Sequence, residues 1–506
     1  MKMPFQDEMS PQEVSIPPSP NADTPTDTNE DCSLDPRDWT QFRAQAHRML
    51  DDMLDYTRNI RLRPVWQPIP DPVRARFRAP LPHHPSDLAD VHQEFMQFVL
   101  PFSQGNVHPG FMGWVNGGGT PVGMVAEMLA AGLNANLGGR DHMPIEVERQ
   151  LVQWSREIFG FPADASGLFV TGTSMANAIA VILARDVALG FGIRKTGLAN
   201  SPKRLTAYAS TAVHSCIGKA LDLAGLGSDS LRLVATDKRH RIDVQALAEA
   251  IRHDKAAGMT PFLVVGTAGT VDTGAIDDLA ALADQCHRDK VWFHVDGAFG
   301  ALAKLAPSIA PRLDGLERAD SLAFDFHKWA QVPFDAGFIL VRDGNLHRQA
   351  FASSAAYLAR AKRGLAAGSP WPSDFGPDLS RGFRALKTWF TLKVYGTDAL
   401  GAVISHSCDL AHYLEQRILD TPELELLAPV ELNIVCFRFR AEASDDINQQ
   451  LVVALQESGK VAPSTTIIDG QFAIRAAIMN HRTTRADIDV LVDTTLSLGR
   501  ALLIGN

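Results

Sequence analysis

The chain has 506 residues, 45% hydrophobic and 21% charged, with a formal net charge of −10 from 48 basic and 58 acidic side chains. That length gives a large domain and a smaller companion ample core, and the acidic balance argues against nucleic-acid binding through bulk charge and against a basic membrane patch. The cysteines, Cys32, Cys216, Cys286, Cys408 and Cys436, are scattered without a CxxC pair, which disfavours a zinc site or disulfide framework and favours a reducing, cytoplasmic setting.

In chain order, residues 1–36 are rich in Pro, Ser, Thr and acidic side chains. They lack the apolar centre of a signal peptide and read as a disordered tail. No apolar run approaches the ~20 residues of a membrane span. Over 39–58, Phe42, Ala46, Met49, Leu50, Met53 and Leu54 recur at helical spacing. With the extended "RLRPVWQPIPDP" and a short helix over 88–100, they make residues 37–110 an N-terminal helical arm.

From 111 to 390, predicted helices over 122–133, 144–160 and 174–189 alternate with β-rich runs such as "GLFVTG", "RLTAYAS", "PFLVVGT", "VWFHVD", "SLAFDF" and "AGFILV". The alternation predicts an α/β domain with a mainly parallel, doubly wound sheet, which binds ligands beyond the carboxyl ends of its strands. From 391 to 506 a helix around 401–419 precedes "LNIVCFRFR", a helix near 447–458 and "QFAIRAAI", the pattern of a smaller α+β domain.

Four features fall just after predicted strands. "FVTGTSMANAIA" sets Gly172, Thr173 and Ser174 where a strand opens into a helix, which suits either a phosphate cradle or a plain N-cap. "YASTAVHSC" places His214 as a candidate stacking imidazole or a packed turn residue. "VWFHVDGAFG" ends its strand on Asp296, a carboxylate that could cap a helix or face a protonated heterocycle. Thr267 and Thr270 of "VVGTAGT" could orient that group or simply build a loop. Lys328 follows Asp296 by 32 residues, set among Phe324, Phe326, Trp329 and Phe334, where apolar surroundings favour a neutral amine. Pyridoxal 5′-phosphate uses this whole set: a lysine for its aldehyde, an acid for its ring nitrogen and a helix start for its phosphate.

With "STAVHS", "HVDGAFG", "DFHKW" and "LSRGFRALKTWF", the chain resembles the pyridoxal-phosphate-dependent group II amino-acid decarboxylases, the family of aromatic-L-amino-acid decarboxylase. The resemblance implies the aspartate-aminotransferase-like fold (fold type I) and a homodimer with active sites at its interface. By position it makes Lys328 the Schiff-base lysine and Asp296 the partner of the pyridine nitrogen. It stacks His214 on one ring face with Ala298 against the other. Thr173 and Ser174 match the phosphate loop, Thr270 a threonine near the ring, His327 the residue before the lysine, and Arg475 an arginine of the C-terminal domain. Lys328, His214 and Asp296 are thus the expected catalytic residues, with Phe111, Trp114, Asn116 and Arg475 around the substrate. Phe111 and Trp114 favour an aromatic or apolar side chain.

The implied reaction is decarboxylation of an L-amino acid through a quinonoid intermediate. Two departures stand out. The family's loop tyrosine falls on Pro372 or Trp371, and its loss is associated with oxygen-dependent decarboxylation and deamination to an aldehyde; another carbon–carbon cleavage is a further alternative. A catalytically silent member is argued against by the intact Lys328, Asp296 and His214. Second, Asp325 stands where asparagine is frequent; beside a phosphate its charge is unwelcome, so it should point elsewhere or meet a backbone donor. Gly117, Gly118 and Gly119 either permit close backbone approach, enlarge the substrate pocket or form a flexible turn. Arg381 and Arg384 are candidates to serve a carboxylate or to pair with Asp374 or Asp378.

Overall fold

A computed structural model describes residues 33–201, 203–353, 360–441 and 444–505. The tail expected to be disordered therefore lies, up to residue 32, outside the described residues. The chain divides into two units, residues 1–50 and 51–506. In the first, helix α1 (Trp39–Arg58) begins, with Trp39 edge-on to Phe42 at 6.0 Å.

The second unit continues through α2 (Asp71–Arg76), α3 (Leu88–Phe98), the short strand β1 (Phe111–Met112), α4 (Pro121–Leu133) and α5 (Met143–Phe159). Then β2 (Ser166–Val170), α6 (Thr173–Leu189), α7 (Ile193–Thr196), β3 (Leu205–Ser210), α8 (Cys216–Leu223), β4 (Leu231–Val234), α9 (Val244–Ala256), β5 (Thr260–Thr267), α10 (Leu279–Asp289) and β6 (Trp292–Asp296) alternate. Next come β7 (Ser321–Asp325), β8 (Gly337–Val341), α11 (Gly344–Phe351) and the long α12 (Arg384–Leu419). The chain closes with β9 (Leu424–Leu426), β10 (Ile434–Phe439), α13 (Ser444–Glu457), β11 (Ala462–Ile468), β12 (Gln471–Ala477) and α14 (Arg485–Gly505).

Seven strands form the central sheet in the order β2-β8-β7-β6-β5-β3-β4. Neighbours from β7 to β4 are parallel, and β8 alone runs against its neighbours β2 and β7. This is the expected α/β, mainly parallel sheet. Pro261–Thr267 of β5 are all buried, as a strand covered on both faces requires. One apolar layer includes Ala178, Val181, Ile217, Leu221, Leu263 and Val265; the opposite one includes Phe159, Phe293, Val295, Phe324 and Phe338.

The second sheet has the order β1-β11-β12-β10-β9. Its strand β11 was not anticipated: "APSTTII" carries Pro463 and four consecutive Ser, Thr and Pro positions in place of apolar alternation. It pairs antiparallel with β12 across Asp469 and Gly470, whose φ values of 48° and 80° make the tight turn. The helix expected around 401–419 also begins earlier, at Arg384, with a break at Gly396 (φ 73°).

Candidate active site

The parallel strands end at Val170, Ser210, Thr267, Asp296 and Asp325, and the segments that follow converge on one cavity of about 340 Å³. Thr173, Ser174, His214, Asp296, Ala298, His327, Lys328, Trp114, Asn116 and Arg475 all line it. Two expected residues do not. Phe111 is buried behind Trp114, their rings 6.1 Å apart. Thr270 is fully buried, with its hydroxyl 3.0 Å from that of Thr273 and accepting the Ala275 amide at 3.0 Å. The hydroxyl of Thr267 is the one left over: Thr267 lines the cavity and its buried Oγ1 has no hydrogen-bond partner among the described residues.

Asp296 is buried at the tip of β6. Its Oδ1 accepts the Ala298 amide at 3.1 Å and its Oδ2 accepts Asn177 Nδ2 at 2.9 Å. Burial pushes its carboxyl above the ordinary range, opposed by the charge of Lys328 and by the Asn177 and Ala298 donors. A carboxylate so placed calls for a cation in the cavity.

Lys328 sits in the connection between β7 and β8, and its setting differs from the apolar one expected. Phe324, Phe326 and Trp329 are turned into the core, while Lys328 Nζ lies 3.0 Å from Asp325 Oδ2. Asp325 does meet a backbone donor, accepting the Thr173 amide on Oδ1 at 2.8 Å. Yet it does not point away: that donor is the first amide of α6, at the expected phosphate cradle. His327 accepts the Ala336 amide on Nδ1 at 3.0 Å and lies against Phe334, ring centroids 4.3 Å apart. Burial lowers its pKa, with Asp325 opposing, so the ring is held neutral. His214, exposed at the cavity edge, accepts the Cys216 amide on Nδ1 at 3.2 Å.

The glycines of the wall serve close approach. A Cβ on Gly117 would strike the carbonyl oxygens of His327 and Lys328, one on Gly118 would strike the Asn480 side chain, and Gly119 has φ 65°. Gly117 thus sits directly on the lysine turn and Gly118 against Asn480, and none of the three lines the cavity. Arg475 is 3% exposed; it donates to Val271 O at 2.8 Å and Gly113 O at 2.7 Å, while its Nη2 is buried without a partner among the described residues. Arg381 and Arg384 are spent elsewhere, on the buried Glu148 at 2.6 Å and on Asp335 at 2.8 Å. Trp371 is fully buried, its indole donating to Ala367 O at 2.7 Å.

Asn177 and Cys216 are site residues that the motif reading did not single out, whereas Thr267, named there beside Thr270 as an orienting hydroxyl or a loop residue, lines the cavity. Asn177 carried a signal: it is a polar side chain within the buried run Ala176–Val181 of α6, and a buried amide needs partners. The residues present fit pyridoxal phosphate. A buried acid faces a lysine across one cavity, and the unpartnered hydroxyls of Thr173 and Thr267 sit beside a helix start.

A pyridoxal-dependent decarboxylase conserved domain is recognised over residues 70–440. An aromatic-L-amino-acid decarboxylase of Bacillus atrophaeus is 32% identical over 459 residues, covering 88% of this chain and 93% of that one. A phenylacetaldehyde synthase of Arabidopsis thaliana is 29% identical over 461 residues, 88% of this chain and 93% of the other. The crystal structure of Catharanthus roseus tryptophan decarboxylase in complex with L-tryptophan superposes with a TM-score of 0.82 at 25% identity, covering 92% of this chain and all of the other.

Proposed function

The chain belongs to the family of pyridoxal-dependent decarboxylases, and from that premise we propose that it decarboxylates an aromatic L-amino acid, with Lys328, Asp296 and His214 as its catalytic residues. The observation that carries this reading is the meeting of Lys328 and Asp296, from the ends of adjacent strands, in one cavity beside the start of α6. Pyridoxal phosphate, when bound, supplies an aldehyde that joins amines and a conjugated ring that takes up the electron pair released as the carboxylate leaves as carbon dioxide.

The chain's own residues bind and orient. Lys328 Nζ is the amine for the aldehyde. Asp296, itself buried, would hold a proton on the ring nitrogen by ion pairing. His214 and Ala298 take the two ring faces, Thr173 and Ser174 the phosphate, and Thr267 replaces Thr270 as the hydroxyl within reach. Arg475, whose Nη2 is unspent, is the donor for a substrate carboxylate, and Trp114 and Phe334 at the rim, 55% and 52% exposed, give an aromatic side chain apolar surface.

We place the enzyme in the cytoplasm as a homodimer with active sites at the interface, its large domain over 111–390 and its small domain over 391–506. The exposed His214 and Trp114 at the cavity, and the exposed Met128, Leu129 and Leu133 of α4, support burial by a second copy. Among the described residues no helix is long and apolar enough to cross a membrane.

A panel of aromatic, aliphatic and acidic amino acids, assayed for carbon dioxide and amine, tests the function. Tryptophan, tyrosine, phenylalanine or their hydroxylated forms should be consumed; turnover of acidic substrates alone would overturn the aromatic reading. Asp296→Ala should bind cofactor poorly and lose most turnover, and near-normal rates with cofactor bound would remove Asp296 from its role. A second reading, oxidative decarboxylation and deamination to an aldehyde, is favoured by the likeness to the Arabidopsis synthase and by Trp371, which offers no phenol and is buried. The same panel, read for aldehyde, ammonia and peroxide, separates the two.

A further inference from the structure

Strand β6 carries a row of polar groups where a buried strand would be expected to be apolar. Trp292, His294 and Asp296 are alternate residues and share one face. Ser321 of β7 is the register partner of His294, and Asn177 reaches the same row from α6. Asn177, His294 and Ser321 are all fully buried.

Each bond has a direction that follows from the one before it. Asn177 Nδ2 has two acceptors, Asp296 Oδ2 at 2.9 Å and Cys216 Sγ at 3.1 Å. The amide oxygen therefore faces His294 Nε2, at 2.7 Å, which must carry the proton. A neutral imidazole then has a bare Nδ1, and Ser321 Oγ, 2.8 Å away, donates to it. With its proton given, the hydroxyl oxygen accepts Trp292 Nε1–H at 2.9 Å, from a side chain that can only donate. Burial lowers the pKa of His294 to about 3, in keeping with a neutral ring. No member is frustrated. The reversed chain would aim the Asn177 carbonyl at the carboxylate, which is tolerable only if Asp296 is protonated.

We propose that Asn177, His294, Ser321 and Trp292 form a one-way hydrogen-bond relay that keeps Asp296 an ionised acceptor turned toward the cavity. They are positioning residues for the reaction. This rests on the reading of Asp296 as partner of the ring nitrogen. Of the other groups facing Asp296, Lys328 and His214 are outside the relay, whereas Cys216 shares the Asn177 Nδ2 donor, so Asn177→Leu removes that bond and His294→Phe leaves it in place.

The experiment compares holoenzyme with Asn177→Leu and His294→Phe, near-isosteric changes that remove polarity and keep volume. Cofactor dissociation constant, the pH midpoint of the bound cofactor's visible band, kcat, KM and melting temperature are measured. With Asp296 no longer held as an acceptor, the ring keeps less positive charge and its remaining titratable proton is bound more tightly. The midpoint should rise by about one pH unit, cofactor should bind about tenfold more weakly, and kcat should fall about tenfold with KM within about twofold. Ser321→Ala, a one-atom deletion suited to the case where the larger changes do not fold, should shift the midpoint less in the same direction. A lower melting temperature with midpoint and affinity unmoved would reduce the row to core packing and overturn the relay. Asp296→Asn separates the two layers. If it shifts midpoint and affinity while no relay variant does, the relay alone fails; if it shifts neither, the ring-nitrogen reading fails and the relay with it.

Discussion

A carboxylate that accepts the first amide of α6 while pairing with Lys328 has two duties, and a phosphate bound there, as proposed, would contest one of them. Asp325 is that group. An anion at a helix start is favoured by the amide and the helix dipole, but two anions there repel each other. Asp325→Asn should therefore tighten cofactor binding about tenfold, roughly 1.4 kcal/mol, by titration of the apoenzyme; weaker binding would mean that the ion pair to Lys328 matters more than the repulsion. Lys328 was legible in sequence through its place after Asp296 and the other strand-end features, yet of its apolar neighbours Phe324, Phe326 and Trp329 proved to face the core and the amine to face Asp325. Alternation of residue type says which way aromatics turn only once the strand is placed. Asn177 was harder to read, since a helix interior of Ala, Ile and Val gives no hint of the strand face it covers.

At the scale of elements, the strand ends were readable because apolar runs of five to eight residues stop at Thr or Asp where the sheet meets the cavity. What escaped was β11, whose hydroxyl-rich sequence forms a strand through pairing with β12 and β1 and not through its own apolar pattern. The "DG" turn at 469–470 was the available signal. Thr270 shows the same limit on a smaller scale. Two threonines three residues apart are equivalent in sequence, and only the turn at 270–275 decides which hydroxyl is consumed. Gly117 couples two elements, with its amide 3.2 Å from His327 O and no room for a Cβ. Gly117→Ala should push the 117–119 segment off the lysine turn at about 1–3 kcal/mol of overpacking. Turnover should fall at least tenfold while far-ultraviolet circular dichroism stays native; unchanged turnover would show that the turn does not depend on this contact.

The whole molecule carries its own titration. His294, His347 and His481 are held neutral by burial, with pKa values lowered from 6.5 to about 3, 3 and 4. Below pH 6.5 the unfolded chain takes up these protons and the folded chain does not, so stability is lost as pH falls. Asp277 acts in the opposite sense. Burial raises it from 3.8 to about 6, so between those values the folded chain holds a proton that the unfolded chain lacks. For these four groups, three protons against one leave a net of about two between pH 4 and 6, roughly 2.7 kcal/mol of stability per pH unit; Asp186, Asp296 and Asp320, also raised, act with Asp277, and His108 and His327, also lowered, act with the histidines. Denaturant melts of the parent chain and of His294→Phe across that window should differ in slope by one proton, about 1.4 kcal/mol per pH unit.

The polar row of β6 also bears on how this chain can change over generations. Side chains in a strand alternate with a period of two, so an insertion or deletion of one residue within 292–296 would turn the row on one side of it to the opposite face and split the relay. Point substitutions can sample this strand one position at a time. A length change cannot, because it would part the carboxylate at the strand tip from the indole at the far end in a single step. Gaps should be excluded from these five residues, and an alignment of homologues should show the spacing from Trp292 to Asp296 kept.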